Sequence, residues 1–201
     1  HLLEDEDFEI IKGLKNVLFE VGVQSTNFEV LKKINRPLDV EKTLVNIKRL
    51  YELGNSNVHV DLICGMCDED IKSIEKSINQ TAKICDDLQL GFLKILKGCK
   101  TKEEEDLYGY MYSQRPPYEI LKTNALSYED IIKLKKIERV INKFKNSHFY
   151  DNLMEHLLSK YEPYALFEML YLHFEKHGVL YSNLSKKHEC EYLYKFLKTD
   201  Y

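Results

Sequence analysis

Glu20, Gly22 and Gln24 alternate along the stretch Val17-Leu18-Phe19-Glu20-Val21-Gly22-Val23-Gln24. In an extended chain successive side chains point to opposite faces, so these three share one face and Val17, Phe19, Val21 and Val23 take the other. His59 and Asp61 alternate in the same way with Val58, Val60 and Leu62. Polar groups inside otherwise apolar parallel strands are costly unless they are paired or in use. A carboxylate, an amide, a glycine that leaves room and a His-Asp couple on inward faces suit a polar ligand. Such ligands sit at the carboxyl ends of parallel strands, where Gln24, Ser25, Asp61 and the Cys64-Gly65 turn fall. The competing reading is a buried polar network with no ligand, in which Asp61 pairs with His59 or a lysine.

Cys64-Gly65-Met66-Cys67 has the C-x2-C spacing of a redox pair or of half a zinc site. The chain has no second C-x2-C, and thioredoxin-like surroundings are missing. The spacing therefore reads as accidental. The five cysteines are widely spread in a chain long enough not to need covalent staples. They read as thiols of a reducing cytosol.

The elements that must position these groups follow from periodicity. Val17–Gln24 is a strand by its β-branched and aromatic content. A cap at Ser25-Thr26-Asn27 leads into a short helix ending near Asn35. A second helix starts near Asp39, carries Val40, Leu44, Ile47, Leu50 and Tyr51 as its apolar stripe, and stops at Gly54. A strand over Val58–Ile63, a helix carrying Ile71, Ile74, Ile78 and Ile84, and a strand from about Leu88 to Leu96 complete the alternation. Strand, helix, strand, helix, strand predicts an α/β fold with a right-handed parallel sheet of three strands. Three strands cannot close a barrel, so a partial barrel with something missing is expected.

Past Gly98 the strand signals fade, and a boundary near residue 100 is expected, with an α/β part over 1–100 and a helical part over 101–201. Residues 109–124 read as an irregular aromatic stretch, with Pro116-Pro117 excluding a helix. Ser127-x-x-Asp130 is a capping box, followed by a stripe of Ile131, Leu134, Ile137, Val140, Ile141 and Phe144. Further helices are expected around 147–159, 163–177 and 185–198. Lys133, Lys135, Lys136, Arg139, Lys143 and Lys145 make one helix basic, which reads as a solvated face or as a contact for RNA or an acidic partner.

Composition narrows the rest. With 44% hydrophobic and 31% charged residues, four prolines and eight glycines, the 201-residue chain is neither disordered nor of low complexity. Its net charge of −4 creates no global field for nucleic acid. No uncharged apolar run approaches the roughly 18 residues of a membrane helix, and a cytoplasmic protein is expected. The start at His1 rather than Met reads as a piece of a longer protein.

Three segments carry a resemblance. FEVGVQSTNFEVLKKINR, residues 19–36, resembles the fourth-strand segment of radical S-adenosylmethionine (SAM) enzymes, roughly E-x-G-x-Q-S followed by a helix ending in N-R. VHVDLICGMCDED, residues 58–70, is similar to the fifth, usually D-L-I-x-G-L-P-G-E, and LQLGFLKILKG, residues 88–98, to the sixth. Order and spacing agree over residues 1–100. Residues 101–160 look like an uncharacterised helical domain that trails the barrel in members with an N-terminal cobalamin-binding domain.

The resemblance implies a SAM site. Gln24 and Arg36 match the residues that hold SAM, the arginine reaching its carboxylate with a two-pronged donor. Asp61 matches an aspartate that meets the ribose hydroxyls, and a carboxylate can accept both protons of a diol. Backbone around Ile63 and Gly65 would line the adenine, Ser25 completes the fourth segment, and Glu20 is a candidate for the methionyl amino group. Arg36 capping the carbonyl end of its own helix is the bland alternative. The family's C-x3-C-x2-C motif for a [4Fe-4S] cluster does not occur in the chain, and the fifth segment reads G-M-C-D-E where G-L-P-G-E is usual. The expectation is therefore the C-terminal half of a radical SAM enzyme, inactive alone, with cobalamin a candidate cofactor held elsewhere. Its implied partner is the N-terminal half of the same protein, and the fragment is expected to self-associate through an exposed sheet edge. In the intact protein the cluster would cleave SAM to a radical that abstracts a substrate hydrogen. A non-catalytic interaction module on a degenerate barrel scaffold is the alternative.

Overall fold

The computed structural model describes residues 2–199, so residues 1 and 200–201 of the expected domains lie outside the described residues. Chain order is α1 (Asp5–Ile11), β1 (Val17–Gln24), α2 (Phe28–Lys33), α3 (Val40–Leu53), β2 (Ser56–Cys64), α4 (Ile71–Thr81), β3 (Asp87–Phe92), α5 (Lys100–Glu103), α6 (Glu105–Tyr108), β4 (Met111–Tyr112), β5 (Ile120–Lys122), α7 (Tyr128–Val140), a π-helical turn (Ile141–Lys145), α8 (Asp151–Lys160), α9 (Pro163–Lys176) and α10 (Lys186–Thr199). The chain divides into two compact units, His1–Leu134 and Lys135–Tyr201. Strand signals fade near residue 100, but packing keeps residues 101–134 in the first unit.

In the first unit, β1, β2 and β3 form a parallel sheet in sequence order. Successive right-handed crossovers between neighbouring strands place every connecting helix on the same face. That face holds the core: Val58, Val60 and Leu88 are wholly buried, with Leu62 and Leu90 nearly so. The other face is open, and Leu18 on it is 59% exposed. The architecture is the three-stranded arc of a partial α/β barrel, as the alternation predicts.

Helix starts follow the caps. Asn27, Asp39 and Asp70 each accept a backbone N–H from the first turn of α2, α3 and α4, which satisfies a donor that the helix itself cannot. Gly54 ends α3 in the left-handed conformation. Two expectations are corrected. Ile84 falls outside α4, in the turn after Thr81, where its N–H bonds to the Thr81 carbonyl at 3.1 Å. β3 ends at Phe92 rather than Leu96, because Leu93–Ile95 turns away to pair with Tyr118–Ile120: Ile120 N–H bonds Leu93 O at 2.8 Å and Ile95 N–H bonds Tyr118 O at 2.9 Å. The stretch expected to be irregular thus supplies a short antiparallel ladder, β4 with β5.

The second unit is helical. Its core holds Phe144, Phe167, Phe174 and Phe196, all wholly buried. Pro163 opens α9 at a position where a missing N–H costs nothing. The capping box at α7, whose first turn belongs to the first unit, forms as expected, with Asp130 N–H on Ser127 Oγ at 3.1 Å and Ser127 N–H on Asp130 Oδ2 at 2.9 Å. The basic helix is not a solvated face. Lys136 pairs with Glu175 at 2.6 Å, Lys143 with Glu189 at 3.1 Å, and Arg139 Nε donates to Leu180 O at 2.7 Å. These cations serve the packing of their own unit. Among the described residues no helix is long and apolar enough to cross a membrane.

Candidate functional site

The open face of the sheet carries the residues picked out by alternation. Parallel register sets Glu20 beside His59, and Gly22 beside Asp61 and then Gln89. His59 Nε2 bonds Gln89 Oε1 at 3.2 Å and stands 3.2 Å from Asp61 Oδ1. Asp61 Oδ1 is buried yet receives no hydrogen bond. His59 and Asp61 are therefore in contact, with Asp61 Oδ1 outside hydrogen-bond geometry. Burial pushes the Asp61 carboxyl upward, the charge of Glu20 adds to this, and His59 partly offsets it.

Above Gly22 the chain does something unusual. Gln24 has φ +68°, and Ser25 N–H bonds Val23 O across it at 2.9 Å. That is a γ-turn of the strained, positive-φ kind, and it coincides with a register slip between Gly22 and Gln24. Strain of this type persists only where surroundings enforce it, and it concentrates at ligand sites. The turn lays the Gln24 amide over Gly22: a Cβ built on that glycine would meet Gln24 Nε2 at 2.7 Å and Arg36 Nη2 at 3.2 Å. A side chain at position 22 would displace the ends of both neighbours from this point.

Arg36 reaches this point because α2 is stopped by its own chemistry. Asn35 takes the left-handed conformation at φ +53°, its N–H bonds Lys32 O at 3.1 Å, and Arg36 N–H bonds Leu31 O at 2.9 Å. This paired reversal ends helices, usually with glycine or asparagine at the left-handed position and proline soon after; Asn35-Arg36-Pro37 supplies that signal in the sequence. The Arg36 side chain does not cap its helix. Its Nη2 donates to Gly22 O at 2.6 Å. Lys33, one turn earlier, pairs with Asp68 at 2.5 Å and ties α2 to the turn after β2.

A cleft of about 340 Å³ opens at this end of the sheet, with Gln24, Asn35, Arg36, Ile63, Cys67 and Tyr110 among its lining residues. Glu20 is exposed on the same sheet face, two residues upstream of Gly22, and does not line the cleft. Asp61, in register with Gly22, does not line the cleft either. Ser25 is wholly buried and donates its hydroxyl to Glu69, which also accepts from Ser73 Oγ at 3.1 Å. Ser25 Oγ in turn accepts the Asn27 N–H at 3.0 Å, and Thr26 N–H bonds Ser77 Oγ at 3.0 Å. Ser25 thus belongs to a network that pins the 25–27 loop to the start of α4. Burial raises the Glu69 carboxyl to about 7, against the pull of the two serine hydroxyls.

Gly65 is buried with φ +91°, and a Cβ there would lie 2.7 Å from Ile120 Cγ2. Its Cα faces Ile120, which leaves only its backbone groups for a ligand. Cys64 continues the helix-covered face of β2, whereas Cys67 lines the cleft and has its thiol pushed upward by burial. Among the described residues no cysteine is disulfide-bonded, and no group of three His, Cys, Asp or Glu is placed to hold a metal ion. Sequence reasoning missed Tyr110 and Cys67 as cleft residues. Tyr110 arrives from the aromatic stretch by way of a contact that no local pattern encodes, and Cys67 occupies a position where the resembling segments have proline.

Residues 1–81 match the family model described as the radical SAM superfamily, and residues 106–201 match one described as a protein of unknown function, DUF4080. A search of curated proteins found no match.

Proposed function

We propose that this chain, which joins a radical SAM superfamily domain at residues 1–81 to a C-terminal domain of unknown function at 106–201, is the SAM-holding portion of a radical SAM enzyme. The observation that carries the reading is the meeting of the Gln24 amide and the Arg36 guanidinium above Gly22, at the carboxyl end of β1. SAM fits the residues present. Arg36 offers a planar donor fork to its carboxylate, with Gln24 beside it. Glu20 is a carboxylate for the ammonium group. Asp61 Oδ1, which lacks a hydrogen bond of its own, accepts from a ribose hydroxyl. Ile63 and the backbone at Gly65 form an apolar wall for adenine, while Ser25 supports the Gln24 turn from behind through Glu69.

Bound SAM supplies a sulfonium group that the superfamily cleaves reductively with a [4Fe-4S] cluster. The sequence lacks the C-x3-C-x2-C motif; in this reading the cluster's cysteines lie outside residues 1–201 and the isolated chain is inactive. In this reading the N-terminal half of the barrel is the partner that covers the open face, and the protein is cytoplasmic. In this reading the intact protein is cobalamin-dependent, as the resemblance of the helical domain suggests, with methyl transfer to carbon as the outcome and cobalamin held by a separate domain.

Two measurements test this. Equilibrium dialysis of the chain with SAM should detect binding that Arg36→Ala abolishes; equal binding by both would remove the assigned site. The complete gene product, reconstituted anaerobically with iron and sulfide, should convert SAM to 5′-deoxyadenosine or S-adenosylhomocysteine. Failure to bind iron or to consume SAM would favour the second reading, a non-catalytic module, which the missing cluster ligands support.

A further inference from the structure

The second unit contains a cleft of about 580 Å³ of its own. Lys135, Arg139 and Lys143 line it at four-residue spacing. In a plain α-helix such a row drifts around the axis by about 40° per step. The π turn at Ile141–Lys145 is wider, so each of its residues rotates less, and it works against that drift. Three cations on one element therefore face one concavity, with the carboxylate of Glu138 among them. The opposite wall brings Tyr181, Asn183 and the buried Glu189.

These cations are not equally engaged. Glu189 is shared by Lys143 at 3.1 Å and Lys186 at 2.9 Å, and it also accepts the Tyr150 hydroxyl at 2.7 Å. Burial opposes its ionisation, but Lys186, Tyr150 and Lys143 together hold it below the usual carboxylate range. Arg139 is different. It is half-buried, its Nε is fixed on Leu180 O at 2.7 Å, and its guanidinium stacks 4.9 Å from the Tyr181 ring centroid. It has no carboxylate partner among the described residues. A guanidinium locked in orientation, stripped of part of its water and left without a counter-ion is half of an oxyanion site.

We propose that this cleft binds a phosphate-bearing small molecule. The donor fork of Arg139 takes two phosphate oxygens, and Lys135 contributes a further cation at the rim. Asn183 offers an amide to the ligand, and the exposed Tyr181 offers a flat apolar surface beside the anion. A phosphate monoester carries nearly two charges at neutral pH, which suits several cations better than a single carboxylate would. The cleft volume lies within the range of small-molecule sites.

The test uses the 201-residue chain with inorganic pyrophosphate as probe in isothermal titration calorimetry. Saturable binding is expected, weakening as salt rises. Arg139→Gln should reduce affinity at least tenfold. Because Arg139 also holds the Leu180 carbonyl, a second variant is needed: Asn183→Asp places a negative charge at an exposed position and should abolish binding without lowering the melting temperature. Absence of saturable heat with the unaltered chain would overturn the proposal, and so would binding that both variants leave unchanged.

Discussion

Arg36 donates from Nη2 to the carbonyl oxygen of Gly22 at 2.6 Å, across a glycine whose missing side chain would have stood 3.2 Å from the same nitrogen. The guanidinium is held at the strand end before any ligand arrives, which lowers the ordering cost of binding. Gly22→Ala would force both Gln24 and Arg36 to move. Gln24 is the closer obstacle, at 2.7 Å, and it is the far end of a flexible side chain. The variant should therefore fold, with a melting temperature only a few degrees lower, yet bind SAM at least tenfold more weakly in equilibrium dialysis. Unchanged affinity would mean that neither side chain faces the ligand.

Gly65 and Ile120 form a lock between the turn after β2 and β5. Ile120 is wholly buried, and Gly65 has φ +91°. Ile120→Ala removes buried methyl groups and should cost about 2–5 kcal/mol. Gly65→Ala suffers both the 2.7 Å collision with Ile120 and a backbone conformation that alanine resists. That strain alone is about 1–3 kcal/mol. Urea denaturation should show the double variant recovering the collision but not the strain, so it stays less stable than Ile120→Ala alone. If Gly65→Ala leaves the midpoint unchanged, residues 118–120 do not pack on the sheet end as described.

The alternation of β1, β2 and β3 could be read from sequence because each strand is buried on one face only, so its period of two survives in the residue types. The cap at Asn27 and the helix start near Asp39 were equally local. The early end of β3 was less plain: Leu93-Lys94-Ile95 is still strand-like but reverses the phase of Leu88, Leu90 and Phe92, and it pairs with residues 118–120, far along the chain. The candidate site divides in the same way. Glu20, Gln24 and Asp61 follow from strand faces, and Arg36 was placed by resemblance. Ser25 and Glu69 meet across 44 positions of sequence, and no spacing rule connects them. The basic helix misled because Lys136 and Lys143 find carboxylate partners in α9 and α10.

Glu69 gives stability a pH dependence whose sign can be worked out. Its carboxyl titrates at about 7 in the fold and at its ordinary 4.5 when unfolded. Between those values the folded chain keeps a proton that the unfolded chain has lost, so the folded state is favoured at low pH. The stabilisation is fully present below 4.5, declines as pH rises and is gone above about 7. A shift of this size corresponds to roughly 3 kcal/mol at most. Glu69→Gln cannot ionise, and its amide oxygen can still accept from Ser25 and Ser73. It should flatten the decline between pH 5 and pH 8 in thermal unfolding (about 3 kcal/mol at most), making the variant relatively more stable at the alkaline end. A parallel decline in both proteins would assign the effect to another group, with Asp61, raised in the same direction, the first to examine.

The open sheet should make the isolated chain associate with itself. Leu18 lies 59% exposed on the uncovered face, and among the described residues β1 pairs only with β2, which leaves one row of its backbone donors and acceptors available. Unpaired edges of this kind template pairing with another chain unless a charge or a covering segment blocks them. A second copy would offer its own β1 edge and apolar residue in the same arrangement, which a two-fold interface requires. Light scattering across a concentration series should show mass rising above that of one chain. Leu18→Lys places a charge on the uncovered face and should shift the equilibrium toward the monomer without lowering the melting temperature. A strict monomer at high concentration would mean that the edge and face are already protected. The same outcome would weaken the proposal that the N-terminal half of a barrel is their natural cover.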